Sequence, residues 1–173
     1  MFRLTALLPT RVLAASFAVA VAGWTAAAGA QDSLPCSARA TAETIYLPAY
    51  SEVPSSDRGR VQFASTVLVH NVDPDTDLVL TRVSYHDASG AKVRDMLGEE
   101  TPLAPFASFS AVVDVTDRSG GIGANFIIEW RAETASLSPI AEAVMLGSRG
   151  TQGFAIGTEG RTIRRTPAPC PQD

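Results

Sequence analysis

Two glutamates on consecutive predicted strands have the residue type and spacing for acid–base chemistry. Glu129 lies within Asn125–Arg131, and Glu142 lies within Ile140–Leu146. A pair of carboxyl groups about 5 to 10 Å apart can cleave a glycosidic bond, one acting as acid and the other as base or nucleophile. One hypothesis is therefore a hydrolase that uses Glu129 or Glu142. The competing interpretation is that both are solvated strand residues, paired with cations such as Arg131.

Histidines are too few for a metal centre. The chain has two, His70 and His86, and each lies on the polar face of its own predicted strand. A catalytic zinc site normally uses three protein ligands that include histidine or cysteine. The sequence therefore predicts no metal site built on histidine.

Three alternating aspartates, Asp73, Asp75 and Asp77, resemble the start of a calcium loop. An EF-hand loop requires glycine at its sixth position and glutamate at its twelfth, where this chain has Leu78 and Ser84. Aspartate and proline are also common turn formers. We expect a solvated hairpin turn here rather than a calcium site.

Motifs for nucleophilic catalysis or nucleotide binding are missing from the sequence. It contains no Gly-x-Ser-x-Gly and no Gly-x-x-x-x-Gly-Lys-Ser/Thr. Gly121-Ile122-Gly123 is followed by Phe126 where a dinucleotide fingerprint requires glycine. We therefore predict no catalytic residue and no cofactor.

The glycine run 120–123 is the best candidate for a binding patch. Such a backbone can turn tightly or let a ligand approach its amides, although it can equally be a plain connection before a buried strand. Polar residues on neighbouring strands extend the patch, with two arginines outside it. The candidate binding residues are Gly121, Gly123, Asn125, Glu129, Arg131, Glu142, Arg58 and Arg161.

The first 30 residues read as a cleaved signal peptide. Arg3 and Arg11 form a positive start, Val12–Val21 is an apolar core, and Ala28-Gly29-Ala30 is a cleavage site. An uncleaved anchor is the alternative. We expect cleavage after Ala30 and a single domain over 31–173, with its core at about 44–164, in the periplasm or outside the cell. No membrane span remains after cleavage.

Charge and cysteine content fit that compartment. Losing Arg3 and Arg11 with the leader changes the formal net charge from -4 to -6, which argues against a nucleic-acid partner. Cys36 and Cys170 are the two cysteines and bracket the domain. In an oxidising compartment such a pair predicts a structural disulfide.

The positions of the apolar residues indicate an all-β fold. They alternate in Val61–His70, Leu78–His86, Phe106–Val115 and Asn125–Arg131, and a last strand is expected near Phe154–Ile156. The turn formers at 71–77 predict that the first two strands form an antiparallel hairpin. Seven or eight short strands favour an immunoglobulin-like antiparallel β-sandwich, with a small β-barrel as the alternative.

Several segments together resemble a family of exported bacterial proteins, the domain of unknown function 3124. The resemblance runs from about Tyr46 to Arg161 and implies a small secreted domain with no established activity, so it supplies no catalytic residues. Cys36 and Cys170 lie outside it. The segments that carry it are Tyr46–Ser51, Asp57–Arg60, Asn71–Pro74, Tyr85–Asp87, Gly120–Phe126 with Glu129-Trp130, Glu142–Met145, and the later Gly147, Gly150, Gln152, Gly153 and Gly160-Arg161.

Three functions are consistent with these observations. The residue types favour a non-enzymatic module that binds an envelope protein or another envelope component through a sheet edge or a loop face. The alternatives are the envelope hydrolase described above and a small-ligand carrier with a pocket beside the glycine run.

Overall fold

The computed structural model describes residues 35–55 and 59–169, and these form an all-β fold. The leader 1–30, Arg58 and Cys170 therefore lie outside the described residues. A single 3-10 turn, Cys36–Ala38, precedes eleven strands. These are β1 (Arg39–Pro48), β2 (Glu52–Pro54), β3 (Arg60–His70), β4 (Leu78–His86), β5 (Lys92–Asp95), β6 (Thr101–Leu103), β7 (Ser108–Val113), β8 (Asn125–Leu137), β9 (Ile140–Arg149), β10 (Gln152–Glu159) and β11 (Arg161–Pro167).

Two antiparallel sheets pack face to face as a β-sandwich and do not close into a barrel. The first sheet has the order β11-β1-β8-β4-β5, and β6 pairs with the early part of β4 while β5 pairs with its late part. The second has the order β10-β9-β3-β2, and β7 pairs with the later half of β3. The predicted β-sandwich is thus confirmed. The strands beyond the expected seven or eight are mostly short edge strands.

Alternating apolar residues build the core between the sheets, as predicted for the two most regular strands. Val67 and Val69 of β3 are fully buried, and so are Phe126 and Ile128 of β8. Trp130 is buried beside them. In each strand the side chains of alternate residues point to opposite faces, so one face enters the core and the other stays polar.

The predicted hairpin between β3 and β4 is wrong, because the two strands belong to different sheets. Asn71 accounts for the crossing. Its Nδ2 donates 2.9 Å hydrogen bonds to the carbonyls of Thr76 and Leu103, and its Oδ1 accepts one from the amide of Asp73. These bonds fix the chain at the end of the first sheet, so the turn residues make a crossover instead of a hairpin.

Face assignments within β4 and β7 also required correction. Strict alternation over Leu78–His86 predicts that Val79 faces inward with Val83, but the pairing of β4 with β8 shifts register between Leu80 and Arg82. This bulge changes which face each later residue occupies. Leu80 therefore enters the core and Val79 is only half-buried. Alternation over Phe106–Val115 likewise predicts that Val115 faces inward, but Val115 follows the end of β7 and is exposed.

The C-terminal part contains more sheet than the sequence indicated. β10 is longer than the strand expected near Phe154, and β11 was expected only as a tail. Every residue of β11 is exposed, so it shows no apolar alternation that a pattern could reveal. None of the helices within residues 35–55 and 59–169 has the length and apolar character needed to cross a membrane.

Candidate functional site

The glycine run is fixed to neighbouring strands by its backbone. The carbonyl of Gly120 accepts a 3.1 Å hydrogen bond from the amide of Ala88, and the carbonyl of Gly121 accepts one of 3.1 Å from Ser51. Gly121 has φ +66°, a conformation that favours glycine. The run thus connects the β4–β5 turn with the segment after β1, which supports the plain structural interpretation.

Tyr85 explains why glycine is required at position 120. A Cβ built there would collide with the Tyr85 hydroxyl and lie 2.5 Å from the Cβ of Ala124. The Tyr85 hydroxyl shares a buried 2.7 Å hydrogen bond with Ser51 Oγ, and its ring stacks on Phe126 with centroids 5.0 Å apart. The glycine run therefore closes over a packed aromatic pair.

An ion pair holds the segment before the glycine run. Arg94 of β5 lies over the Tyr85 ring, 5.1 Å from its centroid, and forms a 2.6 Å ion pair with Asp117. Burial raises the pKa of Asp117, but hydrogen bonds from Ser119 and the charge of Arg94 outweigh burial and leave this pKa below its usual value. Asp117 thus anchors the loop as a carboxylate.

The predicted patch residues are not gathered in one place. Glu129 is ion-paired with Arg82 on the outer face of the first sheet. Arg131 pairs instead with Glu100, at 2.8 Å. Arg161 lies on edge strand β11, opposite Tyr46 of β1.

Of the remaining patch residues, Asn125 stays beside the glycine run and Glu142 lies apart. Asn125 begins β8, and its Nδ2 donates to the Gly123 carbonyl. Glu142 is on β9 of the second sheet, where its neighbours Ala141 and Ala143 face the core. Glu129 and Glu142 thus project from the outer faces of opposite sheets, and the geometry does not support an acid–base pair.

Glu129 and Arg131 do line a small cavity of about 200 Å³, together with Thr44, Thr81 and Arg164. Sites for small molecules usually enclose roughly 300 to 1,000 Å³. This cavity is therefore smaller than a typical ligand site.

Glu142 has two neighbours that were not linked to it in the sequence. His70 Nε2 lies 3.5 Å from Glu142 Oε1, and His70 Nδ1 lies 2.7 Å from Ser108 Oγ. Strands β7, β3 and β9 bring these residue types into a row. Acyl transfer also requires donors that stabilise an oxyanion and a pocket that positions the carbonyl. None of the four cavities described for residues 35–55 and 59–169 is lined by the three.

A buried carboxylate, Glu43, lies at the corner where β1 approaches β9. Its side chain has no exposed surface and accepts hydrogen bonds from Trp130 Nε1 at 3.3 Å and Ser138 Oγ at 2.9 Å. Arg165 Nε lies 3.4 Å away and Thr162 Oγ1 lies 3.5 Å away. A buried charge is tolerated when it is paired and hydrogen-bonded, as Glu43 is. Through these contacts Glu43 links β1 to β8 and β11.

Asp73 is also buried, which corrects the expectation of a solvated turn. Its Oδ1 accepts from the amides of Asp75 and Thr76, and its Oδ2 accepts from Arg39 Nη1 and the amide of Leu137. Burial raises the pKa of Asp73, but these donors outweigh it and leave the pKa lowered. Since both oxygens are occupied by protein donors, Asp73 serves the fold.

The largest of the four cavities described for residues 35–55 and 59–169 is an apolar trough between β2 and β10, defined by Val53, Val61, Phe63, Phe154 and Ile156. It encloses about 560 Å³, which is within the range of small-molecule sites. Buried Val61 and Phe63 of β3 belong to its floor, while partly exposed Phe154 and Val53 form opposite walls. The trough is therefore an apolar surface open to solvent.

Polar side chains border the trough next to the β9–β10 turn. Ser55, Arg149 and Gln152 line it there, and Arg149 Nη1 donates a 2.8 Å hydrogen bond to Ser55 Oγ. Gly147 on β9 keeps the floor low, because a Cβ there would meet the Gln62 carbonyl and lie 3.0 Å from the Phe63 ring. The trough thus combines apolar walls with a polar end.

A second apolar surface lies on the outer face of the same sheet. Ile140, Val144 and Leu146 of β9 are exposed, with Val112 of β7 on the same face. Ile140–Leu146 is apolar on both faces apart from Glu142, a pattern that predicts a central strand covered on both sides. β9 does lie inside its sheet, between β10 and β3, but no described element covers its outer face.

The trough was missed in the sequence because its walls are far apart along the chain. Val53 belongs to a three-residue strand, and Phe154 to a glycine-rich strand almost a hundred positions later. The glycine run lines no part of it. Only the alternation of Phe154 and Ile156 with small residues signalled one apolar face on this edge strand.

Comparison with known proteins adds a family but no activity. A family model described as protein of unknown function (DUF3124) matches residues 42–163, a span that contains all trough residues. No curated protein matches the chain. Among solved structures, the crystal structure of Thermotoga maritima 1070 is similar with a TM-score of 0.42 and 14% sequence identity, over 70% of this chain and 94% of that chain.

Proposed function

Because the chain belongs to the family of proteins of unknown function DUF3124, we propose a function from the site itself. The protein is a non-enzymatic binding module of the cell envelope. Its ligand is an amphipathic envelope component that inserts an apolar chain. The observation that carries this proposal is the open apolar trough bounded by Val53 and Phe154.

Apolar burial supplies the affinity. Phe154 and Ile156 are partly exposed around the trough, and covering them removes apolar surface from water at about 25 cal/mol per Å².

The compartment is part of the proposal. The leader 1–30 is removed after Ala30, and the mature domain works in the periplasm or outside the cell. There Cys36 and Cys170 form a disulfide. The proximity of Cys36 Sγ to the carbonyl oxygen of Pro169, 3.8 Å, supports that pairing, because Pro169 directly precedes Cys170.

Two fluorescent probes test the trough. N-phenyl-1-naphthylamine is uncharged, and 1-anilinonaphthalene-8-sulfonate carries a similar ring system with an anion. We expect both to bind, and Phe154→Asp to weaken both by about tenfold or more, because an apolar wall is replaced by a charge.

The matched control is Leu146→Asp, which places the same charge on the opposite face of the same sheet. It should leave both affinities unchanged. Equal losses in the Leu146 and Phe154 variants, or no binding by the unaltered protein, would reject the trough as the site. Dodecanoate and phosphatidylglycerol vesicles then separate a free amphiphile from a lipid surface as the source of the ligand.

A further inference from the structure

Strand β10 is an edge strand that lacks the usual protection. Natural sheets protect their edges with short strands, charged residues or proline. β2 and β6 have three residues each with a proline, β5 is four residues with three charges, and β11 carries three arginines and ends in proline. β10 has eight residues, and its one charge is the last, Glu159. Among the described strands, β10 pairs only with β9.

The two glycines inside β10 have no role within the described chain. A Cβ at Gly153 or Gly157 would have no atom within 4 Å, and neither residue has a positive φ. Glycine weakens a strand interior, and it often marks a place where another backbone approaches closely. Because no described atom is near, a backbone that approaches these glycines would lie outside residues 35–55 and 59–169 of this copy.

The sequence of β10 is symmetric in its chemistry. Around Ala155, Phe154 mirrors Ile156 and Gly153 mirrors Gly157. Further out, Gln152 mirrors Thr158, and both are uncharged polar residues. An antiparallel strand that pairs with its own copy about a two-fold axis places each residue opposite its mirror position. This symmetry is what such a pairing requires.

We propose that β10 pairs with β10 of a second copy, antiparallel and centred on Ala155, to form a symmetric dimer with one continuous sheet. The outer face then holds Gly153, Ala155 and Gly157 beside their small counterparts. The inner face places Phe154 opposite the partner copy's Ile156, a favourable cross-strand apolar pair, and joins the two troughs. The proposal goes beyond ligand binding and does not depend on what the trough holds.

Cysteine cross-linking tests the register. Opposed residues of an antiparallel pair have Cβ atoms about 4.5 to 5.5 Å apart, which a disulfide can span. Ala155→Cys is therefore expected to cross-link to itself on mild oxidation. In this register Gly153 of one copy faces Gly157 of the other and lies four positions, about 13 Å, from the other copy's Gly153. Gly153→Cys should therefore not cross-link with itself, but it should cross-link when mixed with Gly157→Cys. The unaltered chain controls for the two natural cysteines.

Charge placed on the two-fold axis tests the dimer itself. Ala155→Lys sets like charges opposite each other only in the dimer, so its dimer dissociation constant in sedimentation equilibrium should rise about tenfold or more. Ser110→Lys, on the outer face of β7, should not change it. A monomeric unaltered protein, or equal cross-linking at positions 153 and 155 alone, would overturn the proposal. Probe binding by the Ala155→Lys monomer would show that the trough functions without the dimer.

Discussion

Arg39 and Asp73 form a 2.6 Å ion pair in which the aspartate side chain has no exposed surface. This contact joins the start of β1 to the crossover between the two sheets. The same carboxylate accepts a hydrogen bond from the amide of Leu137 at the end of β8. One side chain therefore fixes the crossover to two strands of the first sheet, which explains why a turn rich in aspartate is not solvated.

Asp73→Asn should lower the free energy of unfolding by about 2 to 3 kcal/mol at neutral pH. The asparagine NH2 group would face N–H donors that now bind the carboxylate, and it cannot accept their hydrogen bonds. Chemical denaturation measures this loss. Asp75→Asn, in the exposed part of the same turn, is the control and should change stability little. Equal losses in the two variants would contradict the role given to Asp73.

Acid should weaken the protein through the same group. The pKa of folded Asp73 lies below the unfolded value of about 3.9, so its stabilisation is complete above that value and is lost as the pH falls through the folded pKa. Between pH 7 and pH 2, the free energy of unfolding measured by chemical denaturation should thus fall more steeply in the unaltered protein than in Asp73→Asn. Parallel curves would contradict the lowered pKa.

Gly120→Ala should destabilise the fold by about 1 to 3 kcal/mol, because its Cβ collides with buried Tyr85 and Ala124. Gly98→Ala is the matched control, since a Cβ at Gly98 would have no atom within 4 Å. Thermal unfolding of the two variants provides the comparison. An unchanged midpoint for Gly120→Ala would show that the loop can move away from Tyr85.

The disulfide can be tested by counting thiols. Denatured, unreduced protein should contain no free thiol, and reduction should lower the free energy of unfolding by about 5 kcal/mol, the chain-entropy value for so long a loop. Two thiols per chain would contradict the pairing of Cys36 with Cys170.

The Ser108, His70 and Glu142 row provides a test of the non-enzymatic account. We expect Ser108→Ala to leave hydrolysis of p-nitrophenyl acetate at the rate of the unaltered protein, because no described cavity is lined by these residues. A loss of activity in Ser108→Ala, with Ser110→Ala unaffected, would indicate that the row is an acyl-transfer site.

The alternation of apolar and polar residues predicted strands correctly where one face of the strand is buried and the other is polar. Val67 and Val69 of β3 show this pattern, and so do Phe126 and Ile128 of β8. It failed where both faces are exposed, as in β11. It also failed at Asp73, because the same residue types form a solvated turn or a buried anchor. Sheet membership depends on contacts such as Asn71 with Leu103, which no local pattern contains.

The candidate site was harder to predict than the fold. The glycine run and Trp130 stand out in the sequence, yet they serve packing around Tyr85 and Glu43. The trough depends on Val53 and Phe154, which are ordinary apolar residues made distinctive only by an uncovered position. Its polar end, at Arg149, lies beside a glycine-rich turn and has no sequence signature of binding.

The most direct test of the central claim is a two-dimensional amide NMR titration of the protein with dodecanoate. We predict that the largest shift changes fall on the amides of Val53, Val61, Phe63, Phe154 and Ile156, with a second group at Arg149 and Gln152. Changes concentrated on Val112, Val144 and Leu146 of the outer face, or no saturable change at all, would contradict the proposal that the trough is the binding site.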